Sequence, residues 1–350
     1  MSINNITINI EKSQDCNIYI NDCTNSENAN KTAINDGIND GINTEDEVIN
    51  LVKTIYNPKK TDNMQLSETY YELSNNHTID YYYNKVVRLR DCSNYLKFAR
   101  INGRVKLIQT NSCRVRLCPI CAYKRSLAVY RNVRSIYTLL QRQPRNKYLF
   151  LTLTVRNVAA DELQAAIDGL NAGYVRLMRN KAYKTITLGA IRTIEVTYNA
   201  ARGDYHPHIH ALIHTTNDIY CGRNYISQQQ LKADWERVNN LNYNVQVDIR
   251  RFHARNVAAA GKELAEIAKY AVKPSDYVGQ TAEVVATFDR ALHQRKLITM
   301  SGSFRRAAKE LHIADVETDD TYLADIKTAE DEGEIIIYKW HYGRNEYIPQ

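Results

Sequence analysis

Residues 206–214 read His-Pro-His-Ile-His-Ala-Leu-Ile-His. Side chains on a β-strand alternate between faces. His208 and His210 therefore project side by side from one face, while Ile209, Ala211 and Ile213 project from the other and can enter a core. Neutral imidazole is a common ligand for divalent cations, and a catalytic ion also needs an open position and usually a third protein ligand. Glu195 is the candidate third ligand. It lies on a strand-like stretch before a turn containing Gly203, between Ile194 and Val196. Directly opposed residues of an antiparallel pair share a face, so pairing Glu195 with His208 or His210 would bring the three groups together. His206 and His214 share that face by parity and are expected to orient the ligands or to face solvent. A His/His/carboxylate set suits Mn²⁺, or Mg²⁺ where water or phosphate oxygen fills the remaining positions.

A second group lies downstream in Glu266-Ile-Ala-Lys-Tyr270-Ala-Val-Lys273. The spacing predicts a helix over 257–272, with Glu266, Tyr270 and Lys273 along one face and Ile267 and Val272 toward the core. A phenol beside a carboxylate and an ammonium has the parts for phosphoryl chemistry. Tyrosine can attack as a nucleophile and form a covalent intermediate. Lys273 can favour the phenolate or bind phosphate, and Glu266 can activate a water or a second hydroxyl in a later step. A nearby cation would stabilise charge developing on the phosphate. Glu-x-x-x-Tyr is common on ordinary helices and the chain has 25 tyrosines. The reading therefore rests on its conjunction with the histidine strand and with the basic block described below.

Cys118-Pro-Ile-Cys121 forms a Cys-x-x-Cys turn, with Cys113 and Cys92 upstream. Four thiolates can hold a structural Zn²⁺ tetrahedrally; a redox pair or plain reduced thiols are the alternatives. Arg114, Arg116, Lys124 and Arg125 surround these cysteines and could grip phosphate. Cys16, Cys23 and Cys221 read as ordinary thiols. Seven unevenly placed cysteines do not suit a secreted disulfide framework.

The net charge of +7 hides its distribution. Residues 1–84 carry five Lys/Arg against thirteen Asp/Glu, residues 85–156 seventeen against one (Asp91), and the remainder twenty-four against twenty-five. A block this basic favours a polyanion through counterion release; a solvated basic surface is the alternative. The N-terminus lacks the basic start and long apolar core of a secretory signal, and no run of eighteen apolar residues suggests a membrane span. A cytoplasmic location is expected.

The elements that must position these groups are set by periodicity. Helices are expected over 124–140, 161–180, 228–238, 283–297 and 304–311, and strands over 147–155, 185–198 (bent near Gly189), 206–214 and 243–249. The hairpin-joined strands point to an α+β fold with a central antiparallel sheet and flanking helices. Four regions result. Residues 1–84, Asn-rich with a tandem repeat over 34–43, are expected to be poorly ordered. Residues 85–126 form a Cys-rich basic zinc-binding module, 127–312 the α+β domain, and 313–350 an acidic tail.

The chain resembles the rolling-circle plasmid replication initiators of the HUH endonuclease superfamily. Three motifs stand in that family's order: Phe150-Leu-Thr-Leu-Thr-Val-Arg-Asn157, His206-Pro-His-Ile-His-Ala-Leu-Ile213 and Glu266-Ile-Ala-Lys-Tyr270, with Met300-Ser-Gly-Ser-Phe-Arg-Arg306 similar to its closing segment. The similarity covers residues 86–312. It implies that 127–312 is a nicking and joining domain of the HUH nuclease type. By this resemblance Tyr270 attacks a phosphate at a plasmid origin, single-stranded at the nick, leaving a 5′-phosphotyrosine link and a 3′-hydroxyl that primes synthesis. Glu266, standing where two-tyrosine relatives have another phenol, directs water at termination. Relatives also carry a Cys-rich segment before the first motif. A host helicase and polymerase are implied as partners, since the sequence has no Gly-x-x-x-x-Gly-Lys-[Ser/Thr] loop. A related transposase or mobilisation relaxase is the neighbouring alternative. A non-catalytic, zinc-containing DNA-binding regulator is the alternative of another class.

Overall fold

The computed structural model describes residues 44–76, 79–101, 104–143, 147–215, 225–252, 260–269, 271–315 and 334–350. Tyr270, Cys16, Cys23, Cys221 and the tandem repeat lie outside the described residues. Among the described residues no helix is long and apolar enough to cross a membrane.

The fold is α+β, as expected. In chain order the strands are β1 (Tyr95–Ile101), β2 (Arg104–Gln109), β3 (Lys147–Thr154), β4 (Thr187–Asn199), β5 (Asp204–Thr215), β6 (Val247–Phe252), β7 (Ile298–Ser301), β8 (Ile335–His341) and β9 (Glu346–Pro349). The helices are α1 (Glu45–Leu51), α2 (Asn57–Asn76), α3 (Ile79–Asp91), α4 (Pro119–Gln141), α5 (Leu163–Arg179), α6 (Lys181–Ile186), α7 (Gln228–Val238), α8 (Gly261–Ile267), α9 (Ala282–Leu292) and α10 (Gly302–Glu310).

At the centre stands a five-stranded antiparallel sheet of order β6-β3-β5-β4-β7. Strand alternation assigns its two faces. Leu151, Ile194, Ile209, Ala211 and Ile213 join one core with Ile167 and Leu170 of α5, Leu231 and Trp235 of α7, and Phe288 of α9. Tyr148, Phe150, Ile191 and Leu212 face the other way, onto Val133 and Tyr137 of α4, Leu264 of α8 and Phe304 of α10. Along this second face each strand changes from apolar to polar at a matching level: Phe150 to Thr152, Leu212 to His210, Ile191 to Thr193. The functional groups begin where the second core ends.

The bend expected near Gly189 is an irregularity in the β4–β5 register between Thr187 and Gly189. Its cause is close packing of backbones. A Cβ on Gly189 would meet the Ser303 nitrogen at 2.3 Å, and one on Gly302 would meet the Leu188 oxygen at 2.1 Å.

Three expectations need correction. Residues 45–76 and 79–84 are helical rather than poorly ordered: α1, a π-helical turn at Val52–Tyr56, α2 and the start of α3. Local composition does not stabilise them; tertiary contacts do. Leu66, Tyr70, Leu73, Tyr82, Val86 and Leu89 are buried in the first core. Asp289 of α9, itself buried, accepts hydrogen bonds from Tyr70 at 2.8 Å, Tyr81 at 3.0 Å and Lys85 at 2.6 Å. Nor is 313–350 only an acidic tail. The β8–β9 hairpin joins β1 and β2 in a second sheet, order β2-β1-β8-β9. Leu96, Phe98, Tyr338, Trp340 and Tyr347 fill its core, so the module over 85–126 is completed by strands from the far end of the chain. Finally, the strand expected over 243–249 is shifted to Val247–Phe252.

Candidate functional site

The β4–β5 hairpin closes on the pair Asn199↔Asp204, and regular pairing then places Glu195 directly opposite His208 and Thr193 opposite His210. Nε2 of His208 and Nε2 of His210 each lie 3.4 Å from Oε2 of Glu195. The side chains of His208, His210 and Glu195 are only 11%, 12% and 5% exposed. The orientation of each ring is fixed from behind. Nδ1 of His208 donates to the backbone oxygen of His206 at 3.2 Å, since a carbonyl only accepts. Nδ1 of His210 lies 3.1 Å from Oγ1 of Thr152, its directly opposed neighbour on β3. Both rings thus turn Nε2 toward the same carboxylate. Burial works to raise the pKa of Glu195, but contacts with His208 and His210 and the positive charge of Lys269 outweigh it and hold the carboxyl well below the usual carboxylate range. Two imidazole nitrogens and an ionised oxygen within 4.8 Å of one another, backed by hydrogen bonds, fit a divalent cation.

His206 matches the orienting role, though through its backbone oxygen rather than its ring; the ring stacks on that of His208 with centroids 5.3 Å apart. His214 neither orients a ligand nor faces solvent. It is 1% exposed, stacks on Tyr148 and bonds Oγ of Ser303 at 3.0 Å. Burial, followed by the charge of Arg306, lowers its pKa to about 4.

The helix expected over 257–272 stops at Ile267, where Ala268 caps it. Glu266 and Lys273 consequently do not share one helical face: Lys273 precedes a 3₁₀ turn, Pro274–Asp276. The backbone oxygen of Ala271 accepts from the nitrogen of Val196 at 2.8 Å, which ties the chain after residue 270 to the strand bearing Glu195. Glu266 forms an ion pair with Lys269, and Lys269 is in turn close enough to lower the pKa of Glu195. Ile267 and Val272 are buried, as expected.

The four cysteines come together at the junction of three elements. Cys92 follows α3, Cys113 follows β2, Cys118 caps the N-terminus of α4 and Cys121 lies in its first turn. All four are buried and free of disulfides. Their sulfur separations are 3.6 Å (92–118), 3.7 Å (92–121) and 3.7 Å (113–121). Sulfurs at about 2.3 Å from a tetrahedral Zn²⁺ stand about 3.8 Å apart, so the set fits that ion. Burial pushes the Cys113 and Cys118 thiols up, while hydrogen bonds with Cys113, Cys118 and Cys92 pull Cys121 down. Four simultaneous thiolates require a compensating cation.

Several participants escape a reading of residue order. Thr152 reads as a strand residue, but its role depends on the β3–β5 register. Lys60 is fully buried and donates to the Cys92 oxygen at 2.6 Å and the Arg90 oxygen at 2.9 Å, a contact no local pattern announces. Of the basic residues expected to grip phosphate, Arg114 is exposed, whereas Arg116, Lys124 and Arg125 are half-buried. Arg116 donates to the Arg295 oxygen at 2.8 Å and Lys124 to Oγ of Ser112 at 2.7 Å.

Residues 104–348 match the family described as Replication protein. A Bacillus amyloliquefaciens protein named "Protein rep" is 34% identical over 330 residues, covering 87% of this chain and 96% of that relative. A "Protein rep" from Bacillus sp is 35% identical over 73% of this chain and 90% of its own length. One from Streptococcus pneumoniae serotype 2 is 31% identical over 83% and 90% respectively. No solved structure gives a significant match.

Proposed function

The chain belongs to the Replication protein family, and on that basis we propose that it initiates rolling-circle replication by nicking one strand of a plasmid origin. The observation that carries this reading is the convergence of Glu195, His208 and His210 beside the strand position that holds the Ala271 backbone. In this reading Tyr270 is the nucleophile. Its phenolate oxygen attacks a phosphorus atom of the bound strand, the bond to the 3′-oxygen breaks, and that oxygen takes up a proton to become the primer terminus. The product is a 5′-phosphotyrosine ester.

Glu195, His208 and His210 would hold Mn²⁺ or Mg²⁺, which supplies Lewis-acid stabilisation of charge on the phosphate oxygens. Thr152 and the His206 carbonyl keep both rings aimed at that position. Lys269, Glu266 and Lys273 set the charge around the phenol, and Glu266 accepts a proton from water when the ester is resolved. An open groove of about 550 Å³ adjoins the centre at Thr152; Thr154, Gln228 and Gln246 also line it, with Lys232 and Asp248 as its charged residues. This mixed polar and apolar lining suits an unpaired strand, whose bases offer apolar faces and whose phosphates need hydrogen-bond partners. Cys92, Cys113, Cys118 and Cys121 would hold a structural Zn²⁺. Arg114, exposed beside them, would contact phosphate, and a host helicase and polymerase would complete the replication cycle.

The test is Tyr270→Phe on a supercoiled plasmid carrying the origin. The substitution should lower nicking by at least about a thousandfold and abolish the covalent protein–DNA adduct on denaturing gels. An adduct that persists would show that another residue attacks.

A further inference from the structure

The four-cysteine cluster and the segment carrying Tyr270 meet at one short loop. Residues 114–117 run between Cys113 and Cys118, so two cysteines of the cluster fix the ends of the loop. Within it Arg114 takes a left-handed conformation, φ 58°, which a non-glycine residue adopts only when its surroundings impose it. The loop then reaches across to the downstream segment. The hydroxyl of Tyr277 donates to the Leu117 oxygen at 2.6 Å, and both residues are buried. The Arg116 guanidinium donates to the Arg295 oxygen at 2.8 Å. Arg116, Leu117, Arg125, Thr193, Lys269 and Ala271 line a cavity of about 30 Å³, room for roughly one water.

The segment is thereby held at two points. Val196, next to Glu195, binds it through Ala271 at 2.8 Å, and the cysteine-anchored loop binds it through Tyr277 at 2.6 Å. Both holds matter, because helix α8 ends at Ile267 and its closing bonds are those of the Ala268 nitrogen to the Leu264 and Ala265 oxygens.

We propose that the loop between Cys113 and Cys118 is a bracket for the segment bearing Tyr270, with Tyr277 as its positioning residue, so that metal occupancy of the four-cysteine cluster sets how well that segment is aligned with Glu195, His208 and His210. This rests on the reading of Tyr270 as the nucleophile. The thiol cluster then acts at a distance: it keeps the Leu117 carbonyl where the Tyr277 hydroxyl can reach it.

The experiment compares the full-length zinc-loaded chain, its Tyr277→Phe variant and the zinc-stripped chain. It measures bound zinc, peptide-resolved hydrogen exchange, and single-turnover adduct formation on an oligonucleotide spanning the mapped nick. Tyr277→Phe keeps the ring and removes only the donor. It should retain zinc and a thermal midpoint within about 4 °C of the parent. Exchange over 268–277 should nevertheless rise about tenfold, and the rate of adduct formation at saturation should fall with little change in half-saturating oligonucleotide. Stripping zinc should produce the same rise over 268–277. Faster exchange confined to 92–121 after stripping, with 268–277 unchanged in Tyr277→Phe, overturns the bracket. Should the stripped chain unfold outright, partial stripping replaces it: exchange over 268–277 should rise in step with the zinc removed, and a flat response overturns the bracket. Exchange does not pass through cleavage, so the two ideas fail separately. An adduct surviving Tyr270→Phe removes the nucleophile and leaves the exchange result standing.

Discussion

Among its described residues the protein builds two candidate metal centres by opposite means. The cysteine cluster gathers one ligand type from a helix end, a strand end and a helix start, and encloses it: Cys118 and Cys121 are fully buried. The Glu195, His208 and His210 centre takes mixed nitrogen and oxygen ligands from two paired strands, and Thr152, which backs His210, lines a neighbouring groove. Four ligands complete a tetrahedron and leave nothing for substrate, whereas three leave positions for water or phosphate. Ligand number and enclosure, rather than ligand identity alone, separate a centre suited to holding a fold from one suited to chemistry.

Substitutions at the two centres should therefore give opposite signatures. The largest effect is expected from His210→Ala. Nicking of an origin plasmid should drop on the order of 100- to 1,000-fold, with a thermal midpoint close to that of the parent. A parent-like nicking rate would undo the contrast from the catalytic side. Cys118→Ser should do the reverse in kind: bound zinc is lost, and the midpoint falls by about 4–7 °C, the shift that about 3–5 kcal/mol gives in a chain of this size. A full complement of zinc in that variant would undo the contrast from the structural side. Thr152→Val refines it. The change removes the partner of His210 Nδ1 while keeping the shape of the side chain, so affinity for Mn²⁺ by titration should weaken about 10- to 100-fold with zinc content unchanged.

The smallest effect concerns pH. His214 titrates in the folded chain at about 4, below its ordinary value of 6.5. Between those values the unfolded chain binds the proton that the folded chain refuses, so stability falls as pH drops through that window. His214→Asn should flatten this part of the stability profile in chemical denaturation across the same window. An unchanged slope would mean that burial of His214 beside Arg306 is not what resists protonation.

Much of the functional surface can be read from residue order. The Ile209, Ala211 and Ile213 face is core, Glu195 stands across from His208, one of the two partners residue order leaves open, and the motif resemblance agrees with the family match. The helical expectation over 257–272 goes too far because amphipathic spacing does not register where the chain goes after Ile267, here onto the sheet, where Val196 donates to the Ala271 carbonyl. The same blindness hides the N-terminal helices. Tyr70, Tyr81 and Lys85 look like solvated residues until buried Asp289, more than two hundred positions away, draws all three. In the tail, the alternating Ile336, Tyr338 and Trp340 are outweighed by the acidic run before them, although that alternation is itself a strand signal.

Residue order alone dictates which side chains share a face. Covalent geometry imposes a period of two along every strand, and the hairpin's closing pair, Asn199 and Asp204, counts outward to Glu195 and His208. What lies against those faces is settled only in three dimensions: the Thr152 hydroxyl behind His210, the Tyr277 hydroxyl on the Leu117 carbonyl, and the terminal strands that complete the second sheet. Such contacts join distant parts of the chain, and they form because burial leaves each polar group few partners within reach, a condition no local window of residues contains.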